Sequence, residues 1–245
     1  MADNRSAREK ALASERQMIG PDLNFASSEA YKMLRTNLQF ALPVDEKCHV
    51  IGVTSTYKGE GKSIASINLA YTLSEAGNKV IVIEGDMRLP TLARRLKVKP
   101  NPGLTTLMVE SDSINSAIQH TVFKTRNGDE VSFSVVTAGK IPPNPSELMQ
   151  SNRMRNLIEA LKGYYDVIIL DLPPVTVVTD ALIASKYLSG MILVVRNEVA
   201  SKKGLSETLR QMKQADVKIL GFVYTDADFS KSRTYGKNYK KGYYR

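Results

Sequence analysis

One short stretch constrains this chain more than any other, the segment from Val50 to Ala70, VIGVTSTYKGEGKSIASINLA. Its apolar beginning predicts a buried strand, and its end predicts a helix with an apolar face. Between them, Gly59 and Gly61 allow backbone N–H groups to turn inward around a phosphate, at the positive end of the following helix. Gly61-Lys62-Ser63 completes a phosphate-binding P-loop, in which Lys62 reaches the β- and γ-phosphates and the Ser63 hydroxyl suits Mg²⁺.

The loop departs from the consensus G-x-x-x-x-G-K-[ST] at one position, because Thr56 stands where the first glycine is expected. The alternative interpretation is an ordinary strand–turn–helix with an incidental Gly-Lys-Ser. The acidic strand ends that follow the loop argue against that alternative. The predicted nucleotide-binding residues are Thr56, Lys58, Gly59, Glu60, Gly61, Lys62, Ser63 and Ile64.

Bulk properties exclude several classes of protein. The 245 residues are enough for one α/β domain with a proper core. No apolar run approaches the ~20 residues of a membrane span, and MADNRSAREK lacks the apolar region of a signal peptide. The single Cys48 and two histidines make neither a disulfide nor a zinc site. We therefore expect a cytoplasmic protein.

Strands and helices alternate along the chain, which predicts an α/β fold with a doubly wound, mainly parallel sheet flanked by helices. Asn127-Gly128 predicts a hairpin-like excursion between 122–124 and 131–133. After the first strand, further strands are predicted at Lys79–Glu84, Ser134–Thr137, Val167–Asp171, Met191–Val195 and Val217–Val223, and helices from Ser27 and over 151–162, 179–187 and 201–214. Three segments result: a loosely ordered 1–26, a folded 27–225 and a flexible tail, 226–245.

Acidic residues follow two of these strands, at the edge of the sheet where ligands bind in open α/β folds. Glu84 and Asp86 follow KVIVI, and Asp171 closes VIIL as in a Walker B strand. With Lys62 they are the predicted catalytic residues, and Ser63, Asp86 and Asp171 the predicted Mg²⁺ ligands. Glu84 or Asp86 could accept a proton from an attacking hydroxyl, for example that of tyrosine with its pKa of about 10.

The tail accounts for most of the net charge. Residues 231–245 carry six cations and no acid, against a net charge of +9 for the whole chain. A solvated basic end is the plain interpretation, and a folded nucleic-acid-binding face is not indicated. Four of the eleven tyrosines fall in the final eleven residues, which packing in a disordered tail does not explain: Tyr235, Tyr239, Tyr243 and Tyr244.

The chain resembles a known family, the bacterial tyrosine kinases of capsular and exopolysaccharide synthesis. TSTYKGEGKS is similar to the family's Walker A, whose first glycine is commonly replaced. VIVIEGDMR resembles its Walker A′, with Glu84 in place of the first Asp, and VIILDLPP resembles its Walker B, with Leu172 where Thr or Ser is frequent. NPSEL, 144–148, matches a family loop. Glu29-x-x-Lys32-x-x-Arg35 is similar to the interface motif Glu-x-x-Arg-x-x-Arg.

The resemblance implies an ATP- and Mg²⁺-dependent kinase that phosphorylates its own tail tyrosines in trans and regulates polysaccharide synthesis. The plain interpretation of residues 29, 32 and 35 is a solvated charged stripe on a helix. The resemblance implies instead that they join subunits into a ring, commonly an octamer. Lys32 cannot form the bidentate pair of an arginine. The implied partners are other copies of the chain, a membrane adaptor of the polysaccharide co-polymerase type and a phosphotyrosine phosphatase, at the inner face of the membrane.

Two other functions fit parts of the pattern. A partition or division ATPase of the MinD/ParA class has a second lysine within K-G-G-x-G-K, at the position of Tyr57. This chain instead has its lysine one place later, at Lys58, and we therefore rank this ATPase class second to the kinase. A non-catalytic platform with a basic tail on anionic lipid is the third possibility.

Overall fold

The computed structural model describes residues 18–110, 113–125 and 127–226. A seven-stranded sheet forms the centre of the fold, in the spatial order β3-β4-β2-β5-β1-β6-β7. All neighbouring strands are parallel except β3, which pairs antiparallel with β4. The strands are β1 His49–Ser55, β2 Val80–Glu84, β3 Gln119–Lys124, β4 Glu130–Val136, β5 Val167–Asp171, β6 Gly190–Arg196 and β7 Ile219–Thr225.

Helices cover both faces of this sheet, as the alternation of elements predicts. In the described ranges, two short 3₁₀ segments, Gly20–Asp22 and Ser185–Tyr187, accompany the α-helices. The α-helices are α1 Phe25–Ala41, α2 Lys62–Glu75, α3 Leu92–Leu96, α4 Leu104–Val109, α5 Ile114–Ala117, α6 Pro145–Gln150, α7 Asn152–Lys162, α8 Asp180–Ala184 and α9 Lys202–Gln214. The doubly wound, mainly parallel fold predicted from the sequence is confirmed.

The core lies in two layers, one on each face of the sheet. Central strands contribute to both layers, because side chains alternate between the two faces: Ile168 and Leu170 pack on one side, and Val167 and Ile169 on the other. All residues of β2 and β5 are buried, including the acids that end them. Helices on both faces of the sheet thus explain why the sequences of β2 and β5 are almost continuously apolar.

Several element boundaries differ from the sequence predictions. Helix α1 begins at Phe25 rather than Ser27, because the Asn24 side chain accepts a hydrogen bond from the Ser27 amide and caps it. The predicted strand at 134–137 is part of the longer β4, which begins at Glu130 inside the predicted hairpin. The predicted helix over 179–187 is a short α8 followed by a 3₁₀ turn.

Residues 18–24 belong to the packed structure, although the sequence suggests a loosely ordered segment up to 26. Ile19 and Leu23 are buried, and the Gly20 amide donates a 2.8 Å hydrogen bond to Asn68 Oδ1 on α2. A 2.7 Å bond from Asn68 Nδ2 to the Met18 carbonyl fastens the same stretch. The first folded residues therefore lie against the helix that follows the P-loop, a contact that no local pattern indicates.

The order of strands brings the predicted site together. β5 lies between β1 and β2, so that Asp171 aligns with Val53 on one side and with Glu84 on the other. The carboxyl ends of these three strands consequently meet at one edge of the sheet, beside the N-terminus of α2. This is the edge at which open parallel sheets bind ligands.

Replacing Ile169 by alanine tests the two-layer core. Ile169 is fully buried on the central strand β5, so Ile169→Ala should lower the free energy of unfolding by about 2–5 kcal/mol in urea denaturation. Val122→Ala on the exposed face of edge strand β3 is the control and should change it by less than about 0.5 kcal/mol. Equal losses at the two positions would contradict the described packing.

Candidate active site

The P-loop has the backbone shape that its glycines predict. Gly59 and Gly61 have φ values of +87° and +93°, in the left-handed region where side chains are strained. Gly61 is also the N-cap of α2, whose first residue is Lys62. The free amides at the start of this helix therefore border the loop, as anion binding requires.

Thr56 fits the position of the missing glycine without strain, since it is not among the described residues with positive φ. Its side chain is buried, and its hydroxyl accepts a 3.3 Å hydrogen bond from Thr208 on α9. Its carbonyl accepts a hydrogen bond from the Thr176 hydroxyl, in the loop after β5. The threonine thus fastens the start of the P-loop to two neighbouring segments.

Glu60 has a role in the loop that its sequence position does not reveal. The side chain is fully buried, and its Oε2 atom accepts hydrogen bonds from the amides of Thr56 (2.7 Å) and Tyr57 (3.0 Å). Burial raises the pKa of this carboxyl group, and the two amide hydrogen bonds act in the opposite direction. Glu60 therefore holds the P-loop closed from inside, through its side chain.

Lys62 joins the two acids that the sequence predicts around the nucleotide. Its Nζ atom lies 2.9 Å from Asp86 Oδ2 and 3.4 Å from Asp171 Oδ1. Burial alone would lower the pKa of Lys62, but the Asp171 and Asp86 carboxylates outweigh it and raise the pKa above its ordinary value. The ammonium group therefore carries its full positive charge, next to the P-loop amides.

The oxygen atoms beside Lys62 suit Mg²⁺. The Ser63 hydroxyl lies 3.5 Å from Lys62 Nζ, and Asp171 Oδ2 is buried with no hydrogen-bond partner within the described part of the chain. A buried carboxylate oxygen without a partner is costly unless a cation or ligand completes it. Mg²⁺ prefers one or two carboxylates together with substrate phosphates. No group of three or more His, Cys, Asp or Glu side chains in the described ranges forms a metal site alone.

Glu84 lies differently from Asp86, although both follow β2. Its side chain is fully buried, and it accepts backbone hydrogen bonds from Thr91, from Leu92 (2.7 Å) and from Ala138 (3.0 Å). Burial raises the pKa of Glu84, while these three amides act in the opposite direction. Both carboxylate oxygens are thus engaged, one with the start of α3 and the other with the segment that follows β4. The longer side chain in place of Asp makes these contacts.

The predicted interface residues lie away from this cluster, on α1. Glu29, Lys32 and Arg35 lie on α1, where Lys32 pairs with Glu29 at 2.9 Å and Arg35 donates a 2.9 Å hydrogen bond to the Thr72 carbonyl of α2. The four tail tyrosines, 235, 239, 243 and 244, fall outside the described residues. Among described residues, no helix is both long and apolar enough to cross a membrane.

Comparison with known proteins places this site in a family. Residues 48–220 match the model of the AAA domain family AAA_31. Tyrosine-protein kinase YwqD of Bacillus subtilis is 33% identical over 210 residues, which cover 86% of this chain and 85% of that protein. The putative tyrosine-protein kinase CapB of Staphylococcus aureus is 32% identical over 85% of this chain and 88% of its own. This chain belongs to the bacterial tyrosine-protein kinase family. The kinase class predicted from its motifs is confirmed.

Solved structures agree with this assignment. The chimerical protein CapA2B2 superposes with a TM-score of 0.71 at 34% identity, covering 80% of this chain and 83% of the other. The septum site-determining protein MinD of Pyrococcus horikoshii, solved with Mg-ADP, has a TM-score of 0.58 at 25% identity, covering 72% of this chain and 70% of that one. The kinase therefore has the P-loop NTPase fold that MinD shares.

Replacing Glu84 by glutamine tests its contacts in this kinase. One amide oxygen cannot accept all three backbone hydrogen bonds, so Glu84→Gln should lower the free energy of unfolding by about 1–3 kcal/mol. Chemical denaturation measures this loss. Glu130→Gln, at an exposed position at the start of β4, is the matched control and should be neutral. A neutral Glu84→Gln would contradict the assigned anchoring role.

Proposed function

We propose that this chain is an ATP- and Mg²⁺-dependent protein-tyrosine kinase that phosphorylates its own C-terminal tyrosines in trans. The observation that carries the proposal is the buried contact of Lys62 with Asp86 and Asp171 beside the P-loop. Membership in the tyrosine-kinase family supports the reaction type. The kinase domain would be 27–225 together with the packed residues 18–24, and the phosphoacceptors would be Tyr235, Tyr239, Tyr243 and Tyr244.

In this mechanism, the residues of the P-loop hold the triphosphate. Backbone amides from Lys58 to Ser63 would cradle the phosphates, and the charged Lys62 would neutralise the transferring group. Ser63, Asp86 and Asp171 would hold Mg²⁺, which supplies charge neutralisation at the β- and γ-phosphates when bound. The backbone shape imposed by Gly59, Glu60 and Gly61 keeps these amides directed at one place before the nucleotide arrives.

Asp86 is the candidate for the base. The two oxygens of Glu84 accept three backbone hydrogen bonds away from Lys62. Asp86 instead faces Lys62 through Oδ2, and its Oδ1 accepts one backbone hydrogen bond, from the Leu89 amide. The acceptor phenol would lose its proton to Asp86 as its oxygen bonds to the γ-phosphorus. The bond from that phosphorus to the bridging oxygen breaks, and ADP leaves. Glu84 would hold the segment that carries Asp86.

Self-association through α1 would bring one subunit's tail to its neighbour. Phe25, Met33 and Phe40 are each at least half exposed, and at 100° per residue they fall within an arc of about 80° on this helix. Glu29 lies within that arc and Lys32 about 20° outside it, whereas Arg35 lies about 80° beyond the arc and already donates a hydrogen bond to the Thr72 carbonyl. An exposed apolar stripe with charged neighbours suits an interface. Glu29, Lys32 and Arg35 would form it in a ring, commonly octameric in the family.

In the cell, the kinase would lie at the inner face of the membrane through a polysaccharide co-polymerase type adaptor. A phosphotyrosine phosphatase would reverse its action. Each phosphate adds roughly −1.5 to −2 charges, so four modified tyrosines would offset the six cations of 231–245. This change of charge would release the tail from its neighbour and regulate polysaccharide synthesis.

The decisive experiment is incubation with ATP and Mg²⁺ followed by detection of phosphotyrosine and mapping of the modified sites. The natural chain should label its tail, Lys62→Met should abolish labelling, and Asp86→Asn should lower the rate by about 10²–10⁴-fold. Lys203→Met and Asp45→Asn, at exposed positions, are the matched controls and should retain the natural rate. Phosphate release without tyrosine labelling would favour a MinD-class ATPase instead. If the chain neither releases phosphate nor labels tyrosine, a binding platform would be favoured.

The charge switch predicts a dependence of assembly on phosphorylation. With ATP and Mg²⁺, the natural chain should change from oligomer to smaller species as its tail is modified, as measured by light scattering. A chain with phenylalanine at 235, 239, 243 and 244 should remain an oligomer, because its tail keeps all six positive charges. If this variant dissociates on ATP addition like the natural chain, the switch does not exist.

A further inference from the structure

Side-chain donors hold the carbonyl groups of the P-loop in several places. A P-loop binds phosphate through its backbone N–H groups, so whatever orients its peptide units matters for binding. The donors are the Thr176 hydroxyl to the Thr56 carbonyl, the Ser55 hydroxyl to Tyr57 (2.8 Å), Arg196 Nη1 to Gly59 (3.2 Å) and the Thr225 hydroxyl to Glu60 (2.8 Å).

The direction of each carbonyl group fixes the direction of the next amide. In a planar trans peptide, the C=O of one residue and the N–H of the next point to opposite sides. The Thr56–Tyr57 unit shows this, because its carbonyl accepts from Thr176 while its amide donates to the Glu60 carboxylate inside the loop. By the same geometry, a donor on the carbonyl of Gly59 or Glu60 directs the amide of the following residue away from itself.

The two peptide units that flank Glu60 depend most on such donors. Each unit turns about one torsion of a glycine, Gly59 for the first unit and Gly61 for the second, and both glycines have positive φ. Glycine has no Cβ to restrict this rotation, so the loop sequence does little to hold either amide in one direction. The hydrogen bonds from Arg196 and Thr225 oppose the rotation.

The order of strands places these two side chains beside the loop. Arg196 ends β6 and Thr225 ends β7, and the two residues are paired in the sheet. Strand β6 lies next to β1, so the ends of β6 and β7 are close to the loop that leaves β1. Thr225 Cγ2 lies 3.5 Å from the position that a Cβ atom on Gly61 would take. The end of β7 therefore packs directly against the loop.

Asp226 orients the guanidinium group of Arg196. Nε and Nη2 of Arg196 donate to Asp226 Oδ2 at 3.3 Å and 3.1 Å, which leaves Nη1 for the Gly59 carbonyl. The planar guanidinium group can bond both partners at once, as a single ammonium group cannot in the same geometry. The two side chains are 44% and 65% exposed, so their ion pair adds little to stability. Its effect is on orientation.

Resting on the function proposed above, we propose that Arg196 and Thr225 are positioning residues for the nucleotide. By holding the carbonyl groups of Gly59 and Glu60, they direct the next two amides at the phosphates, and Asp226 acts through Arg196. The ligand class is a magnesium-bound di- or triphosphate, because these contacts act on the phosphate-binding amides and not on a base.

Magnesium-bound ADP and magnesium-bound pyrophosphate are the probes, because pyrophosphate has neither base nor ribose. Their dissociation constants are measured by calorimetric titration of the full chain, and stability by urea denaturation without ligand. Thr225→Val removes the hydroxyl and keeps the branched shape, so it should weaken both ligands about three- to ten-fold, as the loss of one hydrogen bond does. Thr225→Ser keeps the hydroxyl and should rescue most of the affinity.

Arg196→Gln should weaken both ligands by about the same factor. Asp226→Asn should weaken them in the natural chain but not further in a chain that already carries Arg196→Gln, because Asp226 acts through that arginine. Arg210→Gln is the matched control, since this exposed arginine on α9 pairs with Glu207 of its own helix. It should leave both dissociation constants unchanged.

A loss of affinity confined to ADP would indicate contact with the nucleoside and overturn the positioning role. Unchanged affinities in Arg196→Gln and Thr225→Val would overturn it as well, since a merely structural role moves only the urea midpoint. In both cases the natural chain still binds ADP and the proposed function stands. A natural chain that binds neither ligand would contradict the proposed function, and this inference with it.

Discussion

The contact of one buried ammonium group with two buried carboxylates is the interaction on which the site depends. Lys62 lies between Asp86 and Asp171, and each acid comes from a different strand. Removing any one of the three would leave a charge in a poorly solvated place, at a cost of several kcal/mol. The fold supports this contact by placing β5 between β1 and β2. In the proposed function, the same lysine and carboxylates would bind the magnesium-bound triphosphate.

Around that contact, two buried glutamates determine the shape of the backbone. Glu60 fastens the two amides at the start of the P-loop, and Glu84 fastens the start of α3 and the segment that follows β4. Both carry a cost of burial that backbone hydrogen bonds offset only in part, since the pKa of each group stays raised. In the proposed function, this preorganisation would make electrostatic stabilisation of a transferring phosphoryl group effective, because the groups need not reorganise during reaction.

Sequence patterns identified the P-loop, the parallel sheet and the acids at the strand ends, since each rests on local spacing or apolar runs. They did not separate the roles of Glu84 and Asp86, which differ by two positions. They also did not reveal that Arg196 and Thr225 contact the P-loop, because 137 and 165 residues separate them from the carbonyl groups that they bond. The predicted boundary at 26 is too late, since Ile19 packs in the same core layer as α2 and the segment Gly20–Asp22 contacts both α2 and β3.

By itself, the sequence determined which chemical groups this kinase has: a phosphate-binding loop, one lysine and strand-end carboxylates in a βαβ order. Those features are local, because glycine positions and strand ends follow from spacing of a few residues. Only the tertiary structure decided which carboxylate meets Lys62 and which becomes an anchor. That choice depends on the order of strands in the sheet and on backbone amides far along the chain, such as that of Ala138. Direct contact between distant segments is a property that spacing does not encode.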